Sequence, residues 1–399
     1  MFARSLNYNP LLLCAFHGLA MALFPIAIIT LLWKDQFGLS MAEIMLLQAV
    51  FGVVVAAMEF PSGYVADRLG YRPTLLGAAI CSLLGWAVYL VAFDFWTVAL
   101  AEGILGIAFS FISGADTALL YESLQATGRE GDFAFWYGRF RFSGEIAEGS
   151  AALAAGLLFA WWDRLPFVLE IFVWAISVGV AWLLVEPARH RPPTTQTWSQ
   201  VQRLFRFVFH EQRYLRTIIF LMVVLGTASF IPVWLIQLYA RDAGVPVAWL
   251  GVLWAAANYS VALGSFTSAR LGQSIGLLPA LLLCILLTAV GYLGLGLSHA
   301  LFGFAFYFCL TVMRGLNGPL LHVEEQQLIP SSDRAGLISL RSFMFRGNFV
   351  WIGPAIGYAV DHIGQYRVLL SIGPILTVTA LFGWYWLARA RASHQQFSV

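Results

Sequence analysis

The chain has 399 residues, 60% of them hydrophobic and 11% charged, with a formal net charge of +2 and a mean hydropathy of +0.78. Soluble domains carry about a quarter charged residues, so the solvent for most of this protein is lipid, and a charge this small gives no ground for a nucleic-acid partner. The four cysteines, Cys14, Cys81, Cys284 and Cys309, all fall inside apolar runs and share no metal-ligand spacing, so they read as packing residues and neither disulfides nor a metal site follow.

Apolar runs of about 20 residues, the length that crosses the hydrocarbon core as a helix, recur twelve times. The expected spans are 10–33, 43–65, 73–93, 96–121, 137–160 and 165–185, then 216–240, 248–269, 277–298, 300–322, 337–360 and 367–388. The first run is too long for a signal peptide and no Ala-x-Ala-like cleavage feature follows it, so it is expected to be retained. Residues 186–215 hold Pro187, Pro192 and Pro193 and form the expected linker, with Ser199 to His210 spaced as a short interfacial helix. The organisation is therefore an N-terminal six-helix bundle over 1–185, the linker over 186–215, and a C-terminal six-helix bundle over 216–399. Lys34 is the only lysine, and the arginines divide unevenly between the two sides of a twelve-span topology. Arg4, Arg68, Arg72, Arg129, Arg203, Arg216, Arg270 and Arg389 are among the many on one side, whereas Arg164, Arg241 and Arg367 are on the other. By the positive-inside rule both termini and the linker are cytoplasmic.

The turn between the second and third spans reads Gly63-Tyr64-Val65-Ala66-Asp67-Arg68-Leu69-Gly70-Tyr71-Arg72. It resembles the signature of the major facilitator superfamily, Gly-x-x-x-Asp-Arg-x-Gly-x-Arg. The glycines permit a tight turn, Asp67 can accept hydrogen bonds from a neighbouring helix start, and Arg68 and Arg72 stay in water or pair with acids. The resemblance implies an all-α polytopic fold of twelve transmembrane helices in two pseudo-symmetric bundles. It also gives Gly63, Asp67, Arg68, Gly70 and Arg72 the role of a cytoplasmic gate. The chain looks doubled in other places. Arg68-Leu69-Gly70 returns as Arg270-Leu271-Gly272, Gly114 to Tyr121 aligns with Gly315 to His322, and Arg139 with Arg341. Two departures stand beside these matches: where proton antiporters of the superfamily carry Arg-x-x-x-Gly in helix 4, this chain has Glu102-Gly103-Ile104-Leu105-Gly106, and their helix 5 Gly-Pro motif is missing. Gly353-Pro354-Ala355-Ile356-Gly357 in the eleventh span resembles a piece of it.

Ionisable groups at membrane depth are costly and mark cavities or partners. His17 in the first span is a lone imidazole, read first as a satisfied buried histidine. The fourth span carries Glu102 and, near its inner end, Asp116, read as a gate or helix-pairing residue. In the fifth, Arg141, Glu145 and Glu148 fall at i, i+4 and i+7 on one face. An Arg141–Glu145 ion pair and a proton or substrate site at Glu145 or Glu148 both fit that stripe. The second half has the opposite sign, with Arg314 in the tenth span and Arg341 and Arg346 in the eleventh, which suit either a switchable gate with the acids or an anionic group of the substrate.

The expected function is secondary transport of a small organic molecule by alternating access, with proton-coupled efflux first, proton-coupled uptake of a metabolite second, and an uncoupled lipid-handling protein or receptor third. The chain has no phosphate loop and no His-Glu-x-x-His motif, so an enzyme is not the reading. No cofactor is implied. The expected partners are protons, substrate and a bacterial inner membrane, and the expected state is a monomer.

Overall fold

A computed structural model gives the fold and describes residues 5–188, 203, 205–328 and 334–396. Residues 189–202 and 204 of the expected linker lie outside the described residues, and the described part of Ser199 to His210, residues 203 and 205–210, is helical. Those residues form twelve long helices and no strand, as lipid requires, because a helix satisfies its main-chain hydrogen bonds within one segment. The helices are α1 (Leu6–Ala27), α2 (Met41–Leu69), α3 (Tyr71–Val91), α4 (Phe95–Ala126), α5 (Phe133–Trp161), α6 (Leu165–Leu183), α7 (Arg213–Asp242), α8 (Val247–Ile275), α9 (Leu277–Leu297), α10 (Ala305–Gln327), α11 (Arg334–Ile363) and α12 (Gln365–Gln396).

Two helices expected to be continuous are broken. α1 stops at Met21 and resumes as a tight 3₁₀ turn over Phe24–Ala27, whose Pro25 has no N–H to carry an unbroken helix. α4 is interrupted between Ile112 and Ala115, where Gly114 adopts a φ of 88°. Ten of the helices are long and apolar enough to cross a membrane on composition alone, and α5 and α11 are the two that are not. These are the helices that carry Arg139, Arg141, Glu145 and Glu148 and, half a chain later, Arg341, Arg346 and Asp361. The polar helices therefore occupy equivalent places in the two halves.

The chain divides into two compact units. The first comprises Met1–Leu39, Leu46–Thr195 and Val247–Ala255; the second comprises Ser40–Met45, Gln196–Pro246 and Ala256–Val399. In the first, α3 packs on α4 and α6, and α1 packs on α5 and α6; in the second, α9 packs on α10 and α12, and α7 on α11 and α12. The doubling seen in the sequence is thus a doubling of packing. Small residues permit the close approaches. In the second unit a Cβ added to Gly315 of α10 would lie 2.2 Å from the Val261 carbonyl oxygen of α8 and 3.0 Å from Gly264 Cα. The Ser268 hydroxyl donates to the Leu316 carbonyl across the same seam at 2.9 Å.

Gly315→Ala is expected to lower the melting temperature of the detergent-purified protein, since overpacking a close seam costs about 1–3 kcal/mol. Gly318→Ala, on the same helix with nothing within 4 Å of its added Cβ, should leave it unchanged; equal melting of the two variants would contradict the seam.

Candidate functional site

The turn after α2 is built around Gly70, whose φ of 110° is open to glycine and strained for other residues. A Cβ there would also lie 2.8 Å from the carboxyl carbon of Glu186. That carboxylate closes the start of α3, its Oε1 accepting the Tyr71 N–H at 2.9 Å and its Oε2 the Arg72 N–H at 2.7 Å. The Arg72 guanidinium donates to the Trp182 carbonyl at 3.0 Å, and the Tyr71 hydroxyl donates to Glu122 at 3.3 Å. Arg68 is exposed, its guanidinium 5.2 Å from the centre of the Tyr64 ring, while Asp67 is half-buried and Gly63 faces open space. The carboxylate that meets the α3 start therefore comes from Glu186, which the sequence reading placed in the linker.

On α5 the Arg141 guanidinium donates to Glu145 at 3.1 Å, with the two side chains 54% and 62% exposed, so this pair is a wet one. Glu148, one turn further, is half-buried. Three other carboxyl groups of the first unit are buried, those of Glu102, Asp116 and Glu170. Glu102 on α4 accepts the hydroxyl of Tyr89 from α3, inside a cluster of rings formed by Trp33, Trp86, Tyr89 and Phe167. Asp116, two residues beyond the α4 break, lies 3.7 Å from His17 Nδ1 on α1, with both side chains less than a tenth exposed. At 3.7 Å this is an electrostatic contact and not a hydrogen bond. The imidazole stacks on the Phe140 ring of α5 with centroids 3.8 Å apart. A Cβ at Gly144 would fall 2.7 Å from its Nε2, so the lack of a side chain at Gly144 makes the room for the ring. Three helices thus converge on one titratable pair that was not foreseen as a pair.

In the second unit the deepest carboxylate is paired. Glu325 on α10 is fully buried and accepts from Arg341 at 2.8 Å, with His322 at 3.1 Å from the same oxygen. Beside it Glu324 accepts the Tyr214 hydroxyl at 2.5 Å and lies 3.6 Å from Arg391. The Arg346 guanidinium donates to Ser342 one turn back at 3.2 Å, Asn348 donates to Thr227 at 2.9 Å, and Arg314 is exposed. A further carboxylate unnoticed in the sequence is Asp361 near the end of α11, which accepts the Met41 and Ala42 N–H groups at 2.9 Å each and so caps the first turn of α2, a segment grouped with this unit. Its signal is present in the sequence: Gly357-Tyr358-Ala359-Val360-Asp361-His362-Ile363-Gly364 repeats the spacing of Gly63-Tyr64-Val65-Ala66-Asp67-Arg68-Leu69-Gly70. No group of three or more histidine, cysteine, aspartate or glutamate side chains suited to a metal occurs among the described residues.

The family model for the Major Facilitator Superfamily matches residues 11–350. The chain belongs to that superfamily. Among curated proteins it is 26% identical over 278 residues to an uncharacterized MFS-type transporter, YxaM, of Bacillus subtilis (strain 168), a match covering 64% of this chain and 62% of that protein. The chain thus spans less than two thirds of that relative. Among solved structures the nucleoside transporter NupG superposes with a TM-score of 0.77 at 16% identity, covering 95% of this chain and 98% of that one. A mutant form of NupG gives a TM-score of 0.80 at 15% identity over 96% and 99% of the two chains. These likenesses are of fold, and the fold is that of a twelve-helix superfamily transporter. As a superfamily member the chain is a multi-pass membrane transporter of a small molecule.

Glu186→Ala removes both acceptors from the start of α3, and a lost N-terminal cap costs about 0.5–2 kcal/mol. Amide hydrogen exchange at Tyr71 and Arg72 should quicken, more in Glu186→Ala than in Glu186→Gln, which keeps one acceptor oxygen. Unchanged exchange in both variants would remove Glu186 from this role.

Proposed function

We propose that this transporter couples export of a small organic molecule to protons by alternating access. The observation that carries the reading is the buried His17–Asp116 pair, held between α1, α4 and α5 beside the break in α4. Ionisable side chains inside a membrane protein mark proton relays and substrate paths, and this pair sets a buried carboxyl group against a buried imidazole. Glu102, Glu145 and Glu148 are the further protonatable groups of the first unit, and Arg141 sets the charge of Glu145. Arg314 and Arg346 are the cations that an anionic part of the substrate would meet. Gly63, Asp67, Arg68, Gly70 and Arg72 form the cytoplasmic gate that the superfamily signature implies. The excess of arginine on the side of the termini sets that side in the cytoplasm of a bacterial cell, and a monomer contains the whole path.

A second reading, uptake by proton–substrate symport, is favoured by the departures from the antiporter pattern, namely Glu102 at the arginine position of helix 4 and the missing Gly-Pro motif of helix 5. Nucleosides open the ligand panel because the structural neighbour is a nucleoside transporter.

The test uses inverted vesicles acidified inside and carrying a pH dye. An exporter of this kind relieves the acidification when its substrate is added, and the response should be lost in Asp116→Asn and in Glu145→Gln or Glu148→Gln. Accumulation of substrate in right-side-out vesicles under an inward proton gradient would replace export by uptake. A coupled response that survives in all three variants would overturn the site assignment.

A further inference from the structure

The α6 face that packs inward reads Pro166, Phe167, Glu170, Trp174, Ser177 and Ala181, one carboxyl group set in an apolar stripe at helical spacing. Glu170 is completely buried. Its Oε1 accepts the N–H of Phe24 at 2.7 Å, and Phe24 is the first residue of the turn that follows the break in α1. Its Oε2 and the indole Nε1 of Trp174, one turn away on the same helix, lie close to each other but short of full hydrogen-bond geometry. An acceptor and a donor thus face each other in the interior, where an incompletely matched polar group is costly.

The groups on the elements packed around Glu170 are engaged elsewhere. Tyr89 on α3 donates to Glu102, His17 on α1 faces Asp116, and Arg141 on α5 pairs with Glu145. Arg139 on α5 lies over the rings of Phe135 and Trp136, and Arg164, at the start of α6, lies 3.4 Å from the carbonyls of Tyr89 and Ala92. No described cation pairs with Glu170. Burying an isolated charge is prohibitive unless something compensates for it, so the group has two states: an anion held by the Phe24 N–H, or a neutral acid.

We propose that Glu170 is a proton-binding site of this transporter and that its proton controls the break in α1. As the anion, Glu170 holds the Phe24 N–H by a charge-assisted hydrogen bond, which pins the turn against α6. On protonation, one oxygen becomes a donor and the acceptor at Phe24 weakens, while a small rotation of the carboxyl group brings the remaining acceptor oxygen to the Trp174 N–H. The turn is then free to shift. His17 lies on the last turns of the helix that ends at Met21, three residues before Phe24, so the break adjoins the segment that carries the His17–Asp116 contact. The role in transport rests on the proton-coupled reading above; proton binding at Glu170 does not.

Infrared difference spectroscopy of the purified protein reads proton binding directly. Raising the pH should remove the carbonyl-stretch band of a buried carboxylic acid, and that band should be missing in Glu170→Gln. Trp174→Phe takes away the indole donor and should shift the pH midpoint of the band without abolishing it. Amide protection at residues 22–28, taken relative to the intrinsic exchange rate at each pH, should be weaker at acidic than at alkaline pH in the native protein and independent of pH in Glu170→Gln. A titrating band that persists in Glu170→Gln, or protection that keeps its pH dependence there, overturns the proposal. If the band titrates and belongs to Glu170 while the native protein moves no protons with any transported substrate, the proton site stands and the coupling reading falls.

Discussion

A main-chain N–H at the start of a helix has no partner within that helix, and inside a bilayer it has no water either. This chain meets the problem with carboxylates lent by other parts of the chain. Glu186 takes the first amides of α3, Asp361 those of α2, and Glu170 the amide that begins the turn after the break in α1. Each of these contacts ties together elements that are distant along the chain. Each also needs a negative charge to hold at full strength, so the same groups that fasten the fold are groups a proton can loosen. One of them, Glu170, holds the turn that follows the α1 segment carrying His17.

The two units share a packing scheme but divide their charges differently. In the first, Glu102 and Glu170 are buried with hydroxyl, amide and indole neighbours, and Asp116 faces an imidazole. In the second, the buried Glu325 has a guanidinium at 2.8 Å, and Asn317 stands at the position matching Asp116. A buried ion pair that includes a permanent cation keeps its charges, because removing one partner strands the other. Carboxyl groups with neutral partners have no such tie. The first unit therefore buries its carboxyl groups against neutral or imidazole partners, and the second buries Glu325 against a guanidinium.

α5 and α11 show why charge and span length have to be read together. Neither passes as a membrane span on composition, yet each is a full helix at an equivalent place in its unit. α5 carries the wet Arg141–Glu145 pair, and α11 supplies Arg341 to a buried network and Asp361 to a helix cap. Their polarity reflects work done inside the protein rather than contact with lipid.

The amino-acid sequence by itself determined the number of helices, their approximate ends and the superfamily, because apolar run length and the Gly63 to Arg72 signature are local features that need no partner to be read. It also offered the Arg141–Glu145 pair as one of two readings of the α5 stripe, since residues four apart on a helix lie on one face. The tertiary structure showed the breaks in α1 and α4, at Pro25 and Gly114, and it supplied the Glu170 carboxylate that takes the Phe24 N–H at the first of them. It alone joined His17 to Asp116, Glu170 to Phe24, Glu186 to Tyr71 and Asp361 to Met41. In each case the partners come from different parts of the chain, separated by some 99 to 320 residues, and whether a carboxyl group is exposed, paired or buried alone is a property of the packing around it, which no local pattern contains.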